Sequence, residues 1–66
     1  MRITVNGENH ELSDRARAAE LITALGLEGQ RIALEVNGEI VPRSARDAHS
    51  LHDGDRIEIV HAIGGG

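Results

Sequence analysis

Asn-Gly occurs twice, at Asn6-Gly7 and Asn37-Gly38, and each pair follows a run in which apolar residues recur at every second position. Ile3 and Val5 precede the first pair, and Ile32, Leu34 and Val36 precede the second. Period two is the signature of a strand with one buried face. Asn-Gly readily supplies the two positive φ angles of a type I′ turn, so each run is expected to double back as a hairpin. After the first turn, Glu8 to Leu12 returns with enough polar residues to serve as an edge strand. After the second, Glu39-Ile40-Val41 leaves as a short strand, and Pro42, which has no N–H to donate, ends it. Asp53-Gly54-Asp55 marks a further turn, and Arg56 to His61 forms a last strand with Ile57, Ile59 and Val60.

Between the hairpins the period changes. Ala18, Leu21, Ile22 and Leu25 fall on one helical face, while Glu20, Thr23 and Ala24 lie off it. Ser13-Asp14 offers the N-cap, Gly26 suits the left-handed C′ position, and Leu27 is placed to close that cap with an apolar contact. Arg43 to His49 is expected to be a loop with a turn of helix. A helix of about two and a half turns needs a sheet to lie on. The expected fold is therefore α+β, a mixed sheet of four to five strands crossed by one helix, with the apolar last strand central and beside the first. That is the β-grasp, or ubiquitin-like, arrangement, spanning residues 1–63 with a tail at 64–66. Thr4, Ala33, Glu35, Glu58 and Val60 then face away from the helix, and Ala33, Glu58 and Val60 are candidates for a partner-docking face.

Size and composition narrow the function. A chain of 66 residues removes only ~60% of its unfolded surface from water, too little for a walled catalytic cleft. It has no Cys, which excludes disulfides and thiolate chemistry, and no Phe, Tyr or Trp on which bases could stack. Eleven acids face seven arginines and no lysine, so a net charge of −4 argues against nucleic acid and anionic membranes. No apolar run is long enough to span a bilayer, and the chain reads as cytoplasmic and monomeric when free. His49 and His52 have a spacing found in metal sites, but no further ligand is nearby in sequence, so neither a metal nor another bound cofactor is expected. Ser13, Ser44 and Ser50 lack the context of a nucleophile. A catalyst is not expected.

Gly64-Gly65-Gly66 ends the chain, directly after a strand and without a polar linker. Three glycines resist ordering and add nothing to a core. They do make a probe that fits a channel in which any Cβ would collide. Extended at ~3.5 Å per residue, Ala62 to Gly66 reach ~17 Å beyond the last strand. The carboxylate at the tip is ionised at neutral pH and is a poor electrophile. Attack on the α-phosphate of ATP would convert it into an acyl-adenylate, from which a sulfur nucleophile displaces AMP. The chain has no lysine and no glycine-rich phosphate loop for this step, so a separate enzyme must supply it.

The segment Asn37-Gly38-Glu39-Ile40-Val41-Pro42-Arg43, the turn Asp53-Gly54-Asp55 and the end Ile57-Glu58-Ile59-Val60-His61-Ala62-Ile63-Gly64-Gly65-Gly66 resemble the ThiS sulfur-carrier family of thiamine biosynthesis. The resemblance spans essentially the whole chain. It implies that an E1-like adenylyltransferase uses MgATP to adenylate the carboxylate of Gly66. Sulfur from a cysteine desulfurase then makes a thiocarboxylate, and thiazole synthase consumes it to form the thiazole ring. Gly65 and Gly66 match the family's diglycine, and Gly64 stands where the family is less strict. Three alternatives stay open: the small subunit of molybdopterin synthase, a ubiquitin-like protein modifier, and a β-grasp interaction domain with an incidental tail. His61-Ala62-Ile63 lacks the prolines that usually approach the diglycine in the first of these.

Overall fold

A computed structural model describes residues 1–61. Five strands and one helix follow the order β1 (Arg2–Val5), β2 (Glu8–Glu11), α1 (Ala18–Ala24), β3 (Ile32–Val36), β4 (Glu39–Ile40) and β5 (Arg56–His61), with a 3₁₀ turn at Arg43–Ala45 before β5. The sheet order is β2-β1-β5-β3-β4. β5 runs parallel to β1 and antiparallel to β3, which puts it in the centre as the sequence pattern requires. The fold is the expected β-grasp, with five strands.

Both Asn-Gly pairs form the expected turns, with positive φ at Asn6, Gly7, Asn37 and Gly38. Residues of alternate parity then share a face. Ile3, Val5, Leu34, Val36, Ile57 and Ile59 point inward and meet Ala18, Leu21 and Ile22 of α1, with Val41 and Leu51 completing the cluster. Ile3, Leu21, Leu34 and Ile57 are each no more than 1% exposed. At about 25 cal/mol per Å² of apolar surface, these side chains supply most of the driving force for a domain without aromatic residues.

The helix ends as expected and begins otherwise. Gly26 takes φ 72°, its N–H donates to the Thr23 carbonyl, and the Leu27 N–H donates to the Ile22 carbonyl. This is a full Schellman closure with Leu27 packed against the core. At the other end Ser13-Asp14 is not the cap. Arg17 occupies that position, and its N–H donates to Glu20 Oε1 at 3.2 Å. The free N–H groups of Ala18 and Ala19 donate to the carbonyls of His49 and Arg46, at 2.9 and 3.1 Å. Leu51 N–H in turn donates to the Ala16 carbonyl. The loop before β5 thus satisfies the helix start with its own backbone, which frees Asp14 for another partner.

That partner is the chain's amino terminus. The Met1 ammonium donates to Asp14 Oδ1 and to the Leu12 carbonyl, each at 2.8 Å. The hydrogen bond to Asp14 raises the ammonium pKa above its ordinary 8.0, and the same bond lowers Asp14 below 3.8. The raised group stabilises the fold fully below pH 8 and loses that contribution as pH climbs through its folded value. The lowered group contributes above pH 3.8 and loses its share as pH falls through its own. Asp14→Asn is expected to lower the melting temperature between pH 3.8 and 8.0, where both partners are charged, and to change little at either extreme, so that the curve against pH flattens. Because the carboxylate is exposed, the difference should shrink in high salt. A melting series from pH 3 to 10 checks this.

Candidate functional site: the root of the C-terminal tail

His61, the last described residue, closes a strand that is held from both sides. On one side β3 pairs with β5 along its length, from Val36 opposite Ile57 to Ile32 opposite His61. On the other, β1 pairs only with Arg56 and Ile57 before it turns away. Asn6 takes over there. Its main-chain N–H donates to the Ile57 carbonyl, its Nδ2 donates to the Ile59 carbonyl at 3.1 Å, and its Oδ1 accepts from the Ile59 N–H at 2.9 Å. The side-chain amide therefore offers β5 the donor and acceptor that another strand residue would have offered.

Asn37 does the equivalent at the other end of β5. Its Oδ1 accepts from the Arg56 N–H at 2.9 Å, and its Nδ2 donates to Asp55 Oδ1 at 2.9 Å. The second oxygen of that largely buried carboxylate accepts from the His52 N–H at 2.8 Å, which closes the Asp53-Gly54-Asp55 turn. The two Asn-Gly turns are thus clamps on one strand as well as hairpin ends. Sequence reasoning took them only as turns. The available signal was asparagine at both first positions, where Asp or Gly would also turn the chain. Asn6→Gly keeps the positive φ but removes both side-chain bonds. It is expected to cost about 1 kcal/mol and to speed exchange of the Ile59 amide by roughly tenfold or more, read by native-state hydrogen exchange.

The face away from the helix carries the anticipated residues. Ala33 lies opposite Val60, and Glu35 lies opposite Glu58. Ala33, Glu58 and Val60 are exposed, with Val60 at 57%, while Thr4 and Glu35 are half-buried. Ile40, 63% exposed and opposite Glu35, joins them. It escaped the sequence reading because a two-residue strand has no period to reveal which way it points. The acids Glu35 and Glu58 are direct cross-strand neighbours, an arrangement that stabilises nothing in the free sheet.

Gly64, Gly65 and Gly66 lie outside the described residues, as does the proposed boundary at residue 63. His49 and His52 contribute backbone groups, a carbonyl to Ala18 and an N–H to Asp55. Among the described residues no three His, Asp or Glu side chains are grouped to hold a metal ion. Among them, too, no helix is long and apolar enough to cross a membrane.

The sequence profile of the ThiS family matches residues 3–66. The chain belongs to the ThiS family. A crystal structure of a thiamine biosynthesis protein (ThiS) from Geobacter metallireducens is 35% identical, covers both chains completely and superposes with a TM-score of 0.86. A solution structure of a thiamine biosynthesis protein from the same organism covers all of this chain and 88% of that one, with a TM-score of 0.79. A protein named thiazole synthase in Paramagnetospirillum magneticum is 39% identical over all 66 residues. One of the same name in Magnetococcus marinus is 38% identical. This ThiS-family chain spans about a fifth of the length of each, at 20%. The uncharacterized protein ycf40 of Porphyra purpurea is 31% identical over 97% of this chain and 90% of its own length.

Proposed function

We propose that this ThiS-family protein is a sulfur carrier of thiamine biosynthesis, a substrate passed between enzymes and not itself a catalyst. The observation that carries the reading is the fixed root of the tail. β5 is central, bonded along one side by β3 and on the other by β1 and Asn6, and it ends five residues before the terminal carboxylate. A tail leaving such a strand starts from a defined point, so the orienting work is done before a partner is met.

The chemistry then runs as follows. An E1-like adenylyltransferase holding MgATP brings a carboxylate oxygen of Gly66 onto the α-phosphorus, and pyrophosphate leaves. A persulfide, supplied by a cysteine desulfurase, attacks the acyl carbon through its terminal sulfur, and AMP leaves with the bonding pair. A second thiol reduces the resulting acyl disulfide, leaving the thiocarboxylate on Gly66 and a disulfide on the sulfur donor. This chain supplies none of those thiols, since it has no Cys. Thiazole synthase takes the sulfur. Two proteins bearing that name contain a stretch similar to this whole chain, which supports a functional partnership between the two parts. Gly64 and Gly65 thread the narrow approach, and the carrier acts as a cytoplasmic monomer.

The open face docks the adenylyltransferase through Ala33, Ile40 and Val60, with Glu58 beside them. Exposed apolar side chains grouped on one face are the ordinary mark of a contact surface, and among the described residues none covers Ile40 or Val60. The function is tested by ATP–pyrophosphate exchange. The purified adenylyltransferase should exchange label only when this chain is present with its carboxylate free. Exchange that ignores the chain, or that persists with a C-terminally amidated chain, would defeat the reading.

A further inference from the structure

The chain carries eleven acids and seven arginines, yet three of the arginines line one groove that no carboxylate lines. Gln30 and Arg31, just before β3, line it with Ile32, and Arg43 of the 3₁₀ turn and Arg46 just after that turn line it as well. The ion pairs among the described residues are Met1 with Asp14 and Arg2 with Glu11, so none of the three is neutralised by one. Glu28 and Asp47 line an adjoining stretch of the cleft together with Arg43 and Arg46, which leaves the β3 end as the positive one. Arg46 is fixed there by its Nη2, which donates to the Ile32 carbonyl at 3.0 Å. Its Nε is buried and has no acceptor. A donor in that condition calls for an explanation, since buried polar groups are normally paired.

Bringing three like charges together disfavours the free chain, most of all where acids are plentiful enough to have paired each one. The arrangement becomes favourable when an anion enters. Arginine forks match carboxylates with two parallel hydrogen bonds, and the Gln30 amide adds a further polar group. The groove also sits at the root of the tail. Ile32 is the register partner of His61, and Gln30 Oε1 lies 2.9 Å from His61 Nε2. An enzyme that takes in the end of a tail ~17 Å long must close around His61, and the groove is directly beside it.

We propose that the Gln30–Arg31–Arg43–Arg46 groove receives a carboxylate-bearing segment of the adenylyltransferase, and that this contact recruits the carrier for loading. The proposal rests on the carrier reading and adds to the open face a second, charged contact by which the loading enzyme recognises the carrier. Charge contacts at the edge of an interface act mainly on encounter and on salt dependence.

The test is steady-state ATP–pyrophosphate exchange with the full-length chain varied in concentration. The wild type is scored first, and failure to exchange would remove the carrier reading itself. Given exchange, the double variant Arg31→Glu/Arg43→Glu is expected to raise KM for the carrier about tenfold or more with kcat little changed, and to lose most of the salt dependence of KM. Both side chains are exposed and neither anchors the backbone, so the melting temperature should stay near that of the wild type. Arg31→Lys/Arg43→Lys keeps the charge but loses the fork, and its KM should fall between those of the wild type and the charge-reversed variant. An unchanged KM for the charge-reversed variant, or a fall in kcat alone, overturns the proposal. So does a variant that loads normally and fails only with thiazole synthase.

Discussion

Gly65→Val is expected to reduce loading of the terminal carboxylate by about 100-fold or more in kcat/KM, because a misplacement of about 1 Å at the reacting end is enough for a loss of that size. Valine adds a branched Cβ one residue from the reacting carbon, where the proposed channel admits only backbone. It also restricts the φ and ψ angles through which a glycine can follow that channel. Gly65→Ala, with a single methyl, should fall between the two. The fold should not respond, since the substitution comes after the last strand in sequence, and substitutions of this kind are within about 0.5 kcal/mol. Equal melting curves combined with a collapse in exchange activity would locate the defect in the tail. A valine variant that loads as fast as wild type would show that no narrow passage selects the glycines.

Ile57→Ala is expected to lower stability by about 3 kcal/mol, which for a domain of this length is a fall of roughly 15 °C in melting temperature. Ile57 is fully buried, sits in the central strand and lies in register with Val5 on one side and Val36 on the other. Its loss leaves a void between both neighbouring strands and the helix. At roughly 0.05–0.15 kcal/mol per residue, a 66-residue chain has only ~3–10 kcal/mol in total, so the variant should be partly unfolded at moderate temperature. Ile40→Ala provides the contrast. That side chain is 63% exposed, and its removal should change stability by no more than about 0.5 kcal/mol. Urea titrations of the two variants, read by circular dichroism, separate the buried from the exposed isoleucine.

The parts of this architecture that were legible in the chain are those fixed by neighbours in sequence. Alternation at Ile3 and Val5, at Ile32, Leu34 and Val36, and at Ile57 and Ile59 revealed β1, β3 and β5 and their inward faces. The two Asn-Gly turns and the Gly26-Leu27 helix end also depend on adjacent residues alone, and all were found where expected. The helix start was not legible. Ser13-Asp14 has the right local chemistry, but the donors of Ala18 and Ala19 are met by carbonyls about thirty residues further along, at His49 and Arg46. Ala16 and Leu51 were missed as core for the same reason, because each is buried through a contact between loops and belongs to no period. At the site, Ala33, Glu58 and Val60 were placed by strand parity, whereas the clamp from Asn6 to Ile59 spans 53 positions and has no local signature. The arginine groove is likewise assembled from two separated segments.

The central claim is that Gly66 carries sulfur. Intact-mass spectrometry of the 66-residue chain, after incubation with the adenylyltransferase, MgATP and a sulfur donor, tests it most directly. The account predicts a gain of about 16 Da, the difference between a sulfur and an oxygen atom, confined to the C-terminal peptide and lost on alkylation followed by hydrolysis. An unchanged mass under conditions in which ATP is consumed, or the same gain in a chain lacking Gly66, would contradict it.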